Sequence, residues 1–305
     1  MVKKETMESL KYYLKIAENK FQIESPESFT LDESISHFFV EEVKRDEISA
    51  YYKVVIEKEI GAFAGRVLYR QPERVILDVD SKECRIFLIP EAGFPYAYTI
   101  ELDDKVTEIH ILDEYFCNRR MSIVFLELLA LEKQLIVDNA LVFHSAYIIH
   151  EGKSILFSAP SGTGKSTQAS LWEKYKNAQI VNGDRSIVKI SDAKVEVHGL
   201  PFCGSSQINY DESAPLAAIV FLEQAKENEI RTVSKAEAIR KIYSQCSVNY
   251  WNVSQVQTVF EMLGTLVEQV PVYLLKCTIS EEAVELVYDQ IKCDDYIDKK
   301  KNKGV

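Results

Sequence analysis

Apolar and polar positions alternate along the first third of the chain and then change period. From Lys11 to about Leu112 the pattern is of short strands: Val54 to Ile60, Arg66 to Leu68, Arg74 to Val79, Arg85 to Ile89 and Tyr96 to Leu102. These runs are rich in β-branched and aromatic residues, and turn formers such as Asp80-Ser81 and Pro90-Glu91-Ala92-Gly93 separate them. The alternation predicts a mostly antiparallel sheet with one wet face. Between Asp113 and Asp138 the apolar residues fall at helical spacing (Tyr115, Phe116, Ile123, Val124, Leu126, Leu128, Leu129, Leu131, Leu135), with Arg119, Arg120, Glu127, Glu132 and Lys133 on other faces. One long helix with Asp113 as N-cap is expected there.

Beyond it, strands and helices alternate. Leu141 to His150 predicts one strand, closed by Glu151-Gly152, and Ile155 to Phe157 predicts the next. Further strands are expected at Lys194 to Val197, Ala217 to Glu223 and, after the break at Pro271, Val272 to Lys276. Helices are expected at Ser234 to Gln245, where Ser234 and Glu237 form a capping-box pattern, at Trp251 to Val267 and at Ser280 to Cys293. The whole reads as an α/β chain, α+β overall. A β-rich region spans residues 1–112, a linking helix 113–139, a mixed-sheet core 140–293, and a charged tail that should fray 294–305.

A chain of 305 residues is long enough for one large or two smaller cores. The net charge of -11 argues against a nucleic-acid backbone or an anionic membrane as the main partner, since both are gripped by surplus Lys and Arg. Met1 to Lys20 is charged throughout, and no stretch approaches the ~18 apolar residues that span a bilayer. The six cysteines form no C-x-x-C pair and read as free thiols, so a cytoplasmic location is expected.

The chemistry concentrates at Ser154 to Trp172, S-I-L-F-S-A-P-S-G-T-G-K-S-T-Q-A-S-L-W. An apolar run, a glycine-punctuated loop and a helix-competent run follow in the order that a phosphate-binding loop requires. Gly162 and Gly164 can adopt positive φ and bring backbone N–H groups against an anion, together with the free donors of the helix that starts there. Lys165 supplies a point charge for outer phosphates, and the Ser166 hydroxyl can ligate Mg²⁺. Ser161, Thr163 and Thr167 complete the expected nucleotide contacts. Six positions before the lysine stands Ala159, where glycine is usual.

After that helix, Gln179-Ile180-Val181-Asn182-Gly183-Asp184-Arg185 carries a short apolar run into a carboxylate. Asp184 at such a strand end can hold the metal or accept a proton from a hydroxyl, although Asn-Gly-Asp is also ordinary turn chemistry. His144, inside an apolar strand, is read from chemistry alone as a core residue rather than a catalytic one. His37 and His110 are isolated.

The order of a strand with His144, then S-A-P-S-G-T-G-K-S-T, then a strand ending in Asp184 resembles the HPr kinase/phosphorylase family, within the wider phosphoenolpyruvate-carboxykinase-like group. In the bacterial HPr kinases a strand carrying histidine precedes a G-x-S-G-x-G-K-S loop, and the next strand ends in two adjacent aspartates. Here Ser161, Gly162, Gly164, Lys165 and Ser166 match the loop, His144 the histidine and Asp184 the second aspartate. Gly183 stands where the first aspartate would be, and His198-Gly199-Leu200-Pro201 roughly where an arginine-glycine-isoleucine-glycine stretch would be. The sheet-rich first part does not look like the usual HPr kinase N-terminal domain. The chain looks closer to the HPr-kinase-like proteins found beside peptide-modification genes, such as lasso-peptide kinases.

The resemblance implies a kinase-type phosphotransferase. ATP, or another nucleoside triphosphate, would lie on Ser161 to Thr167, with Mg²⁺ on Ser166 and Asp184. Lys165, His144 and Asp184 would act around the transferred group, and the acceptor would be a hydroxyl, foremost serine of a peptide or protein. It also implies a homo-oligomer. A nucleotide hydrolase and a non-catalytic ATP-sensing module stay open beside it. A carboxykinase would need further metal-ligating motifs, which are not found.

Overall fold

The computed structural model describes residues 9–116 and 120–303, and the chain folds as two compact units, 1–134 and 135–305. Residues 1–8, Cys117 to Arg119 and the last two residues lie outside the description.

The first unit is built on a nine-stranded sheet. Its fourth strand in spatial order, Ala50–Glu57, runs parallel to both neighbours, Asn19–Ser25 and Val106–Leu112. The other pairs are antiparallel: Leu10–Ile16 and Phe39–Val40 extend one side, and Phe94–Glu101, Lys82–Ile89, Arg74–Val79 and Arg66–Arg70 extend the other. Alternate residues face inward, so Leu14, Ile16, Phe21, Ile23, Tyr52, Ile109 and Ile111 are all buried. The Tyr52 hydroxyl ends in the core and donates to the Leu129 carbonyl at 2.8 Å.

A cation stands in this interior as well. Arg85 is 2% exposed, with Nε 2.7 Å from Glu83 and Nη1 2.6 Å from Glu132. Burial alone would push the Glu132 carboxyl up, but the Arg85 guanidinium more than offsets this and holds it below the ordinary range.

The segment 113–139 is not the single helix its spacing predicts. It forms a four-residue helix (Asp113–Phe116), a short strand (Arg120–Met121) parallel to Thr30–Leu31, a second four-residue helix (Ile123–Leu126), a 3₁₀ turn (Glu127–Leu129) and a helix Leu131–Val137. The breaks fall at Ser122, which is extended, and at Ala130, which is left-handed at φ 50°, ψ 46°. On one straight helix, Phe125, Leu126, Leu128, Leu129, Leu131, Leu135 and Ile136 would cover an arc of about 220° at 100° per residue. A single contact face is narrower than that. Breaking the helix allows all seven to be buried.

The second unit is also organised around a nine-stranded mixed sheet. Three strands run parallel at its centre: Lys153–Ser158, Ser213–Gln224 and Val272–Cys277. Ala146–His150 and then Gln179–Asn182 extend the first of them, antiparallel. Val195–His198, Arg185–Ile190 and Ala140–His144 build outward from the start of Ser213–Gln224, and Glu229–Thr232 borders Val272–Cys277.

Both faces are covered, which explains the continuous apolar runs. Leu156, Tyr147, Ile219 and Leu274 join the core beneath helices Lys235–Tyr243 and Val253–Gln269. Ile155, Phe157, Val220 and Leu275 join the core beneath Lys165–Lys176 and Glu281–Lys303, with Trp172, Ala283 and Val287. Ser234 caps its helix, its hydroxyl accepting from the Glu237 N–H at 3.3 Å, but the Glu237 carboxylate binds Arg231 instead of completing the capping box. The last helix continues to Lys303, past the expected end at Cys293, so residues 294–303 extend it rather than form a frayed tail.

Leu141 to His150 is likewise two strands rather than one. At Ser145 the backbone leaves the ladder, and its N–H donates to the Asp184 carbonyl at 2.9 Å. Residues 140–144 pair with 185–190, whereas 146–150 pair with 153–158 and 179–182. The Ser145 hydroxyl, fully buried, meets that of Ser186 at 2.7 Å, so both the N–H and the hydroxyl at the break are bonded.

Arg85→Met removes the buried cation between two partly buried carboxylates and should cost about 3–5 kcal/mol of stability near neutral pH. Because the folded pKa of Glu132 is depressed, its contribution is present above the ordinary glutamate value and is lost as pH falls through the folded one. Denaturant melts should therefore show the gap between wild type and variant narrowing in acid, and a gap constant with pH would refute the ion-pair account.

Candidate functional site

The strand Lys153–Ser158, the loop 159–164 and the helix Lys165–Lys176 follow one another without interruption. Gly162 at φ 78° and Gly164 at φ 118° adopt backbone that L side chains rarely take. No atom lies within 4 Å of a Cβ built on either, so the requirement is conformational rather than steric. Ala159 is 1% exposed and its methyl belongs to the core with Phe157, Ala169 and Trp172. The departure from glycine thus adds packing and obstructs nothing.

Ser161, Gly162, Ser166 and Thr167 lie at the mouth of this loop, whereas Lys165 is 7% exposed and donates from Nζ to the Ala159 carbonyl at 3.2 Å. Burial pushes the Lys165 ammonium pKa down, and the nearby Asp184 carboxylate works against that. The Ser166 hydroxyl donates to the Gly183 carbonyl at 3.2 Å, tying the start of the helix to the turn that carries Asp184.

That turn is set by Asn182, a residue whose spelling in the sequence pointed only to turn chemistry. It is fully buried, and its Oδ1 accepts from the N–H of Asp184 at 2.9 Å and of Arg185 at 3.0 Å. Its Nδ2 donates to the carbonyls of Leu200 at 3.0 Å and Phe202 at 2.8 Å, so the same side chain pins the small-residue loop after Val195–His198.

The fold brings His144 and Asp184 together, 3.3 Å from Nε2 to Oδ1. The other ring nitrogen of His144 lies 3.1 Å from Gln245 Oε1, and the His144 N–H donates to the Gln245 carbonyl at 2.8 Å, so Gln245 is a second partner the sequence did not reveal. Arg185 Nε stands 3.4 Å from Asp184 Oδ2, and its guanidinium lies over the Phe202 ring at 5.6 Å. The His144 hydrogen bond leads in holding the Asp184 carboxyl below its usual range. Burial opposes it, and the charges of His144, Arg185 and Lys165 add to the lowering. By contrast His110 is a structural histidine, 2.7 Å from Glu57 and stacked on Tyr98.

Gly183, where an acidic pair would place its first carboxylate, has no room for a side chain. A Cβ there would lie 2.2 Å from Ser206 Oγ and 2.7 Å from Ser206 Cβ. On the other side Gly204, at φ 43°, packs its backbone onto Asp184, and a Cβ there would meet Asp184 Cβ at 2.8 Å. The loop 203–206 thus closes one flank of the carboxylate by contacts that glycine alone permits.

Among the described residues no group of three or more His, Cys, Asp and Glu could hold a metal by itself. Ser166 and Asp184 instead offer a hydroxyl and a carboxylate on the two sides of the Ser166–Gly183 hydrogen bond. Such an oxygen-only set fits Mg²⁺ bound with phosphate and water, rather than a closed protein cage.

The model of a family described as "SynChlorMet cassette protein ScmC" matches residues 114–290, more than half of the chain and including every residue discussed in this section except His110, Glu57 and Tyr98. Curated proteins include no match to the chain. Among solved structures it is similar to the Hpr(Ser) kinase/phosphatase from Coxiella burnetii at 10% identity, over 53% of this chain and 94% of that one, with a TM-score of 0.31, a weak likeness. No helix among the described residues is long and apolar enough to cross a membrane.

Gly183→Ala should destabilise the protein by about 1–3 kcal/mol through overpacking against Ser206. Adding Ser206→Gly should recover much of that loss in the double variant, as a denaturant double-mutant cycle would show. Strict additivity would mean that the two residues do not interlock.

Proposed function

We propose that this chain, which belongs to the ScmC family, is a phosphotransferase that moves the terminal phosphoryl group of ATP or another nucleoside triphosphate to a hydroxyl. The observation that carries the reading is the convergence at one loop mouth of Lys165, the Ser166 hydroxyl and the Asp184 carboxylate, joined through the Ser166–Gly183 hydrogen bond. The phosphates would lie on Ser161 to Thr167, where the positive-φ glycines lead into a helix start with no side-chain cap and Ser161, Gly162, Ser166 and Thr167 are exposed. Mg²⁺ held by Ser166, Asp184 and phosphate oxygens would neutralise charge building up on the transferred group.

The steps left to the protein are few. The acceptor oxygen forms a bond to the terminal phosphorus, the bond from that phosphorus to the bridging oxygen breaks, and the nucleoside diphosphate departs. The hydroxyl proton would pass to Asp184, a carboxylate that is ionised at neutral pH and whose pKa is held below the usual range. His144 and Arg185 hold that carboxylate in place, and Lys165 steadies the outer phosphates. A serine of a peptide or protein is the acceptor the sequence resemblance favours, and a cytoplasmic setting supplies the nucleotide. Among the described residues, Cys84, Cys203, Cys246, Cys277 and Cys293 form no disulfide.

Titration of the purified protein with ATP, with and without Mg²⁺, followed by ADP analysis without acceptor, tests this directly. Mg²⁺-dependent binding with negligible ADP is expected. Steady ADP release would indicate a hydrolase, and binding with no transfer to any hydroxyl a sensing module. Lys165→Ala should abolish binding. Asp184→Asn should keep much of the binding and lower transfer by about 10²–10⁴-fold, the usual loss when a general base is removed. Full transfer by Asp184→Asn would sink the assigned role.

A further inference from the structure

The loop strand Lys153–Ser158 has different neighbours on its two sides. On one side Ala146–His150 and Gln179–Asn182 lead to Asp184, and on the other runs the parallel strand Ser213–Gln224, with Ser158 level with Phe221. Along this second flank lies an open cleft of about 610 Å³, bounded by Ala159 to Thr163 of the loop, by Phe221 to Gln224, and by Lys241. Its volume falls within the range of about 300–1,000 Å³ usual for small-molecule sites. It lies beyond the carboxyl ends of parallel strands, where open α/β sheets bind their ligands.

The cleft is held at a set width, because Gln224 Nε2 donates to the Thr163 carbonyl at 3.3 Å and so ties the strand end to the loop. Lys241 reaches in from the helix Lys235–Tyr243, with Nζ 3.8 Å from Glu223 Oε1 and 5.6 Å from the centre of the Phe221 ring. The two charged groups are partly exposed and too far apart for a tight hydrogen bond, so each can still serve a ligand. Together they present one cationic donor and one anionic acceptor beside the Phe221 ring, with no net charge. This end of the cleft thus has no surplus cation for phosphate. A neutral heterocycle with a donor and an acceptor on one edge suits the pair.

We propose that this cleft seats the nucleoside of the bound nucleotide, with Lys241 and Glu223 recognising the polar edge of its base. The inference rests on the phosphate-binding reading of the loop. Because Ser161 to Thr163 border the cleft, a triphosphate that starts at the Asp184 flank and runs along them would bring its nucleoside into it. Nucleotide preference is then decided by a residue pair about 60–80 positions downstream of the loop, on a different strand and helix.

The test is calorimetric titration of the full chain, with Mg²⁺ present, using ATP, GTP and inorganic tripolyphosphate. Wild type should bind at least one of the two nucleotides about tenfold or more tightly than tripolyphosphate, as hydrogen bonds to charged groups would give. Lys241→Met should remove that advantage and leave tripolyphosphate affinity unchanged, which also shows that the variant is folded. Glu223→Gln should reduce it too and provides the test if Lys241→Met does not fold. Equal weakening of nucleotide and tripolyphosphate, unchanged nucleotide affinity in both variants, or a wild type without any nucleoside advantage would overturn the cleft assignment while leaving the loop reading in place. Failure of wild type to bind even tripolyphosphate would remove the loop reading and the cleft with it.

Discussion

One buried carboxamide decides where the candidate site is. Asn182 has two donor hydrogens and an oxygen with two lone pairs, and all four are used, two toward the turn at Asp184 and two toward the loop at Leu200 and Phe202. Inside a protein an amide left half-bonded costs about 1–3 kcal/mol. The arrangement therefore fixes both segments relative to the end of Gln179–Asn182. Asp184 is aimed by this hydrogen bonding at the helix start, and the glycines at 183 and 204 let the covering loop come close enough to complete the wall. An aspartate in place of Asn182 would keep the oxygen and lose both donors, so the turn would survive and the loop would not.

The break at Ser145 is the counterpart of that turn. Its N–H bonds the Asp184 carbonyl, so the two interruptions of the sheet satisfy one another. This also brings His144, the last residue of its strand, beside the carboxylate. A continuous strand through residue 145 would have paired with a single neighbour, and the Ser145 N–H would have had no reason to meet Asp184.

The parts of this arrangement that could be read from the sequence are those carried by local chemistry. Ile155 to Phe157, the glycines, Lys165 and the helix after it form one uninterrupted stretch, and each position has a reason within a few residues of itself. The strand before Asp184 was similarly readable from its apolar run and its turn residues. The roles of Asn182, Gln245 and Ser206 were not, because each reaches segments distant in sequence, Gln245 a histidine 101 positions away. The helix expected over 113–139 failed for a related reason. Helical spacing was present, but the apolar arc was too wide for one face, and only the neighbours of the segment could settle that it breaks at Ser122 and Ala130. The strands at Leu10–Ile16 and Asn19–Ser25, crowded with Lys and Glu on their outer faces, gave too diluted an alternation to be bounded in advance.

The environment of Asp184 bears on how the proposed transfer would be driven. A carboxylate whose pKa is held down by His144, Arg185 and Lys165 is a weak base and would do little to ionise a hydroxyl before attack. Phosphoryl transfer through a loose transition state asks for little early deprotonation, because bond breaking to the leaving oxygen runs ahead of bond making. What such a reaction needs is a positioned hydroxyl, concentrated positive charge around the phosphates and a proton acceptor late in the step. A weak base that is rigidly placed meets the last of these, and the cations that weaken it serve the second. With Ser206 packed against Gly183, no second carboxylate shares the task, so metal and proton would both fall to Asp184. The same groups that depress its pKa would keep Asp184 available as an anionic ligand for Mg²⁺ until the acceptor proton reached it.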